Sequence, residues 1–279
     1  MVTLSQTQFD RLVRFDTDQS VDAHCHCLPG IDDGPRTMAE ALELCRALVA
    51  DGITTVVATP HQLGAYELRN DGTRVRRGVA ELRAALAAEA LPLNVLPGAE
   101  VRIDERIPWL LDAGDVVTVG EARSHLLLEL PQNHYVDPLP LVRTLARAGV
   151  CAVITHPERL PFVVRHPTTA RRWLDAGALL QVTAASLAGR FGADAEELGW
   201  ALISAGMVAA VATDAHGARR RSPRMTQAIA MIEERQGRAA AADLCIDGPR
   251  KLVRPRGADR TAPRPEFELA VPSRGEVNE

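Results

Sequence analysis

Lysine is nearly missing from this chain. Of its 32 basic residues only Lys251 is a lysine, which leaves 32 − 1 = 31 arginines. Chemistry that needs a lysine in the middle of the chain is therefore excluded. No apolar run approaches the roughly 18 residues of a membrane span, and the polar, acidic stretch from Met1 to Asp18 lacks the basic-then-apolar order of a signal peptide. Charge of one sign is lacking too. A net charge of −4 and an isoelectric point near 6.1 offer no electrostatic ground for nucleic acid or an anionic membrane as partner. The five cysteines (Cys25, Cys27, Cys45, Cys151, Cys245) form an odd, scattered set. A disulfide scaffold is not expected, and a reducing cytoplasm fits better.

What is present is a regular alternation. With 279 residues, 46% of them hydrophobic, the chain can bury a sizeable core. Nearly continuous apolar runs at Val21–His24, Ile53–Ala58, Leu93–Leu96, His125–Leu130, Val150–Ile154, Leu179–Val182 and Met207–Ala212 read as parallel strands covered on both faces. Helical periodicity lies between them, at Val75–Ala90, Asp137–Ala148, Thr168–Ala176, Ala195–Ala205 and Arg224–Gln236, and after a capping box at Thr37-Met-Ala-Glu40. Several helices close on glycine (Gly52, Gly149, Gly177, Gly206). Seven strand–helix repeats in one composition regime predict an α/β chain folded as a closed or nearly closed β/α barrel. An open doubly wound sheet is the alternative, but it gathers its site at one switch point, whereas polar words follow most strands here. Residues 1–20 read as an N-terminal extension and 21–253 as the barrel domain. Residues 254–279 read as a disordered tail whose five basic and five acidic residues leave it neutral, with no nucleic-acid arm.

The polar words are Asp22-Ala-His24-Cys-His26, Thr59-Pro60-His61, Gly98-Ala99-Glu100, Glu129-Leu-Pro131, Thr155-His156-Pro157-Glu158-Arg159 and Asp214-Ala215-His216. His24 and His26 alternate with period two, so both imidazoles point to one side of an extended segment, as two ligands of one metal must. Asp33, in the turn Pro29-Gly30-Ile31-Asp32-Asp33-Gly34-Pro35, can fold back over the same strand end. Any one of these words is more often a polar strand end than a ligand; six strand ends doing the same point to a metal centre at one face of a barrel. Imidazole and carboxylate without thiolate suit Mn, Fe or Zn, and the share of carboxylate favours Mn. Nine candidates (His24, His26, Asp33, His61, Glu100, Glu129, His156, Asp214, His216) exceed the roughly six donors one ion uses, which implies two or three ions. Three divalent ions among Asp33, Glu100, Glu129 and Asp214 sum to +6 − 4 = +2, a charge that attracts an anion and acidifies a bridging water into a hydroxide nucleophile. Arg159 and Arg221 lie beside candidate ligands, and guanidinium forks match phosphate oxygens.

Together the words resemble the polymerase-and-histidinol-phosphatase (PHP) superfamily. The run from Asp22 through Leu28-Pro-Gly-Ile-Asp-Asp33-Gly-Pro35 is similar, more narrowly, to the bacterial PHP-type protein-tyrosine phosphatases of capsule and exopolysaccharide loci. Thr59-Pro60-His61, Gly98-Ala99-Glu100, His156-Pro-Glu-Arg159, Asp214-Ala-His216 and Ile246-Asp-Gly-Pro-Arg-Lys-Leu252 match as well, so the likeness runs from about Val21 to Val253. The resemblance implies a distorted (β/α)7 barrel with a trinuclear centre. It assigns His24, His26, Glu100 and Asp214 to one ion, Glu129 and His156 with a bridging Glu100 to a second, and Asp33, His61 and His216 to a third. Arg159 and Arg221 match the family's phosphate-binding arginines, and the implied substrate is the phosphotyrosine tail of a bacterial tyrosine kinase. The chain departs from the pattern at Thr183, where relatives carry Asn, at Gln62, where His or Arg is common, and at Cys25 and Cys27 beside His26.

Rival chemistries are narrowed by what is absent. A cysteine-dependent phosphatase needs Cys-x5-Arg, but the residues six positions after the five cysteines are Ile31, Asp33, Asp51, Pro157 and Lys251. Amidohydrolases that bridge metals with a carboxylated lysine need one in mid-barrel, and Lys251 comes too late. A small-molecule phosphatase acting on a histidinol-phosphate-like substrate would keep the same chemistry. An inactive, metal-stabilised module that binds phosphorylated tails is the non-enzymatic alternative, and it would be expected to lack a ligand.

Overall fold

The computed structural model describes residues 20–254. The expected N-terminal extension and neutral tail lie outside the described residues, save Ser20 and Arg254. Nine strands appear among the described residues: β1 (Val21–Cys25), β2 (Thr55–Ala58), β3 (His61–Gln62), β4 (Asn94–Pro97), β5 (Glu100–Arg102), β6 (His125–Glu129), β7 (Cys151–Thr155), β8 (Leu179–Thr183) and β9 (Ala210–Ala212). Every pairing is parallel, in a three-stranded sheet β1-β2-β4 and a six-stranded sheet β3-β5-β6-β7-β8-β9. The protein is thus an α/β fold of parallel strands, covered on the outside by helices.

The seven expected strands are all present, but two are broken. Thr59-Pro60 separates β2 from β3, and Gly98-Ala99 separates β4 from β5. Pro60 has no N–H to give to a ladder, and a Cβ on Gly98 would lie 2.6 Å from Val57 Cγ1, so the strands pinch together at that level. Pairing resumes beyond the break with His61 opposite Glu100. Gln62, next along β3, faces away from the histidines. Its Nε2 donates to the carbonyls of Asn70 (3.0 Å) and Asp115 (2.8 Å), and its Oε1 accepts from Val117 N at 3.0 Å. That inward tie explains why a neutral amide suits this position.

The first and last strands also meet. Asp22 is fully buried and accepts from Thr213 N at 2.9 Å and Thr213 Oγ1 at 2.5 Å. Asp214 N donates to His24 O (2.8 Å), His26 N donates to Ala215 O (2.9 Å), and Cys25 bridges Ala215.

Alternation along the strands sorts their side chains into layers. Ala23, Val57, Leu127, Val153 and Ala210 form a small inner cluster with Val119 and Leu252. Glu129 and Thr155 stand two residues beyond Leu127 and Val153, so the same strand faces carry polar groups at their C-terminal ends. The larger core lies outside, between strands and helices, and takes in Leu44 and Leu48 of α1 (Met38–Ala50) and Val79 and Leu82 of α2 (Gly72–Ala88). Thr37 caps α1 through Glu40 N, while Glu40 reaches back to Arg36 N, one residue before the position a capping box would use. The helices α3 (Ile107–Ala113) and α4 (Leu139–Arg147) follow β5 and β6; α3 was not legible as a helix, being short and opened by proline. All five cysteines are buried, and no disulfide joins them. Among the described residues no helix is long and apolar enough to cross a membrane.

Replacing Asp22 by alanine leaves the buried N–H and hydroxyl of Thr213 without their acceptor. At about 1–3 kcal/mol per stranded group, Asp22→Ala is expected to lower the unfolding free energy by about 2–4 kcal/mol in urea titrations. An unchanged midpoint would show that this link does not hold the first strand to the last.

Candidate metal centre

Eight of the nine expected ligands are buried or nearly so at the C-terminal ends of the strands, and Asp33 reaches them from the turn after β1. His24 Nε2 and His26 Nε2 lie 3.2 Å apart. Each is 3.5 Å from Glu100 Oε2, and they are 3.5 and 3.6 Å from Asp214 Oδ1. Ligands about 2.1 Å from a tetrahedral ion stand about 3.4 Å from one another, so His24, His26 and Glu100 are spaced as a group that could hold one, with Asp214 Oδ1 adjoining the two imidazoles. Asp214 Oδ1 is buried and has no hydrogen-bond partner, a cost that a bound cation would remove.

Two further groups adjoin this one. Asp33 Oδ1 sits 3.4 Å from His61 Nε2 and 3.3 Å from His216 Nε2, and the ring of His26 stacks on His216 with centroids 3.9 Å apart. The other nitrogen of His61 lies 3.2 Å from Glu100 Oε2 and 3.6 Å from Glu129 Oε2. His156 Nε2 is 2.8 Å from Glu100 Oε1, and its buried Nδ1 has no partner. Glu129 is therefore grouped with His61 rather than with His156, and Glu100 is shared by two of the three groups. The turn bearing Asp33 packs so closely on the strand end that a Cβ on Gly34 would come within 2.4 Å of His26 O.

Three supporting residues escaped the sequence. Asp32, not Asp33, accepts from His26 Nδ1 at 2.7 Å; it also accepts from His61 N (3.1 Å) and Gly34 N (2.9 Å). Gln181 Oε1 is 2.7 Å from His24 Nδ1, and its orientation is set because Nε2 donates to Val182 O at 2.8 Å. Both contacts leave Nε2 of the histidine as the lone-pair side, the usual way an outer partner aims an imidazole at a metal. A glutamine inside an apolar strand was the available signal. Arg102 holds the remaining oxygen of Glu129 at 3.1 Å, with no signal in its surroundings.

The electrostatics favour cations. Burial disfavours a charged His24, yet Glu100 and Asp214 outweigh it and raise the imidazole to about 9. Burial is overcome likewise at His61, where Asp33 and Glu129 raise the pKa to about 11. Burial and the neighbouring His26 push His216 down to about 4. Despite burial, Glu100 is held well below the carboxylate range by His24 and His156, and Asp214 by His24, Arg221 and Arg159.

Both expected arginines reach the cluster. Arg159 Nη1 donates to Asp214 Oδ2 at 2.5 Å and Arg221 Nη2 to the same oxygen at 2.6 Å, while Arg221 Nη1 donates to His216 Nε2 at 2.8 Å. The backbones of His156 (φ 36°), Asp214 (φ 50°) and Arg221 (φ 50°) are left-handed, which is costly for side-chain-bearing residues. Lys251 is 69% exposed and pairs with Asp243, away from the cluster, so no lysine bridge is available. Cys25 belongs to the outer core, and its Sγ lies against Ala215 O.

The chain is similar to proteins of known name and structure. The chain is 34% identical over 221 residues to a protein named tyrosine-protein phosphatase YwqE from Bacillus subtilis, covering 78% of this chain and 85% of that one. A solved structure from work on YwqE of Bacillus subtilis and CpsB of Streptococcus pneumoniae, described as metal-dependent tyrosine phosphatases, superposes with a TM-score of 0.81 at 31% identity, over 89% of this chain and 100% of that one. An organophosphorus hydrolase from Deinococcus radiodurans shares the fold at 17% identity and a TM-score of 0.53, over 84% of this chain and 92% of that one. The family model for capsular polysaccharide synthesis, CpsB/CapC, matches residues 20–254, and the chain belongs to that family.

Proposed function

We propose that this chain is a metal-dependent phosphomonoester hydrolase acting on phosphotyrosine, with the tail of a bacterial tyrosine kinase that regulates capsule or exopolysaccharide synthesis as substrate, in the cytoplasm. The observation that carries this is the meeting of Arg159 and Arg221 on Asp214 at the rim of the histidine and carboxylate cluster. Two guanidinium groups beside a cation site suit a phosphoryl group. Family membership and the names of the relatives support tyrosine over other esters.

Residues 21–253 would form the metallophosphatase domain, a distorted (β/α)7 barrel; the bridge between Cys25 and Ala215 supports closure of the first strand on the last. His24, His26, Glu100 and Asp214 would hold one ion. Asp33, His61 and His216 would hold a second; Glu129, on the His61 side of Glu100, and His156, on its other oxygen, would serve a third through the shared Glu100. Manganese suits this donor set best, with iron or zinc as alternatives. Two or three such ions would supply Lewis acidity toward phosphoryl oxygens and lower the pKa of water toward neutrality. Arg159 and Arg221 would turn their planar forks to the phosphoryl oxygens and offset charge that grows in the transition state. Asp32 and Gln181 keep His26 and His24 aimed inward while this happens.

Manganese-dependent phosphate release should be measured on phosphotyrosine, phosphoserine and histidinol phosphate. Arg159→Ala is expected to lower kcat/KM by about 100-fold or more, and His156→Ala to lower both bound metal and activity. Equal activity of wild type and His156→Ala, or indifference to chelator, would sink the metal mechanism. A preference for histidinol phosphate would sink the tyrosine assignment alone.

Metal binding should also expel protons. His24 and His61, raised to about 9 and about 11, are charged at neutral pH and must be neutral to ligate. Affinity is therefore expected to strengthen as pH rises toward 9, and calorimetry in buffers of different ionisation enthalpy should report more than one proton released per molecule at pH 7. Binding without proton release would contradict this.

A further inference from the structure

Aromatic residues make up only 4% of the chain, yet two rings stand at the edge of the cluster. Tyr66 stacks on His61 with centroids 5.3 Å apart and planes 12° from parallel. Phe191 lies under the guanidinium of Arg159 at 4.1 Å from ring centroid to Cζ, and 5.9 Å from Cζ of Arg221. The ring belongs to the short connection between the helices Ala184–Leu187 and Ala193–Ser204, and is framed by Gly189 (φ 69°) and Gly192 (φ 94°). It is partly exposed and faces a cavity of about 340 Å³ that Arg159, Arg165 and Gln132 also line.

The choice of an aromatic partner has a chemical consequence. A guanidinium carries five N–H donors in its plane. A carboxylate beside it takes some of them; a ring holds the cation through its face and takes none. Asp214 Oδ2 accepts one N–H from each arginine, and the ring braces the broad face of Arg159. The plane of Arg159 is thereby fixed at little cost in donors, which remain available to an oxyanion with several acceptor oxygens, whereas Arg221 is held by a second N–H to His216.

We propose that Phe191 is a positioning residue, the platform that holds Arg159 and, beside it, Arg221 in the orientation that receives a phosphate group. This rests on the assignment of the two arginines as phosphate-binding groups. Phe191 touches the arginines and acts through them.

The test is calorimetric binding of inorganic phosphate to the manganese-loaded full chain, with metal content measured for every variant. Phe191→Leu keeps apolar bulk and removes the ring; Phe191→Met does the same with a more adaptable side chain, should leucine disturb the loop. Phe191→Trp keeps an aromatic face. Loss of the ring is expected to weaken phosphate binding by about 3- to 30-fold, the range spanned by partly desolvated cation–π contacts, with metal content unchanged. Phe191→Trp should bind within about twofold of wild type, as a retained π face requires. In an Arg159→Ala background, Phe191→Leu should have little further effect. Leucine and tryptophan variants that behave alike, or a leucine effect of equal size without Arg159, would overturn the platform and leave plain packing. Phosphate binding by wild type that Phe191→Leu and Phe191→Met leave unchanged would overturn it too. A wild type that holds manganese and binds no phosphate would overturn the assignment of the arginines themselves.

Discussion

Asp214 follows β9 where the last strand meets the first, and its two oxygens face different partners. Oδ1 looks toward the Nε2 atoms of His24 and His26; Oδ2 takes a hydrogen bond from each of Arg159 and Arg221. One carboxylate thus ties the histidine cluster to the two arginines, and its backbone N–H ties both to β1 through His24 O. The left-handed conformation of Asp214 is the local cost of presenting both oxygens from a single position, and it persists because the surrounding bonds over-determine it.

The surrounding fold makes such a concentration of charge tolerable. Parallel strands deliver their C-terminal ends to one rim, so residues far apart in sequence arrive together, while the strand faces below remain hydrocarbon. Glu100 illustrates the balance. Burial alone would protonate it, yet His24 and His156 hold it ionised. The imidazoles of His24 and His61 are held charged in turn by the carboxylates. A cluster in which each sign supports the other is one that a cation can enter by displacing protons, with little change in net charge.

Much of this was legible in the residues, and for a physical reason. A parallel strand covered on both faces must be apolar, so the point where it turns polar marks its end, and His61, His156 and Asp214 each follow such a run. The choice between Asp32 and Asp33 was not legible, because neighbouring carboxylates in a turn point in directions that only the turn decides. Asp33 faces His61 and His216, whereas Asp32 faces the back of His26. Gln181 was visible as a polar residue in an apolar strand, but its partner His24 lies 157 positions away in sequence. Phe191 follows an irregular, glycine-framed segment with no periodicity to interpret. The breaks at Pro60 and Gly98 could be seen, but not that pairing would resume beyond them.

That resumption gives Gln62 a task of its own. A strand of two residues has almost no ladder to define its register, and a slip of one position would exchange the faces of His61 and Gln62. The buried amide of Gln62 is fastened at both its ends, to the carbonyls of Asn70 and Asp115 and to the N–H of Val117. It acts as a key on the far side of the strand. The direction in which His61 points is thereby decided by a residue on the opposite face of the strand, turned away from the histidine and carboxylate cluster.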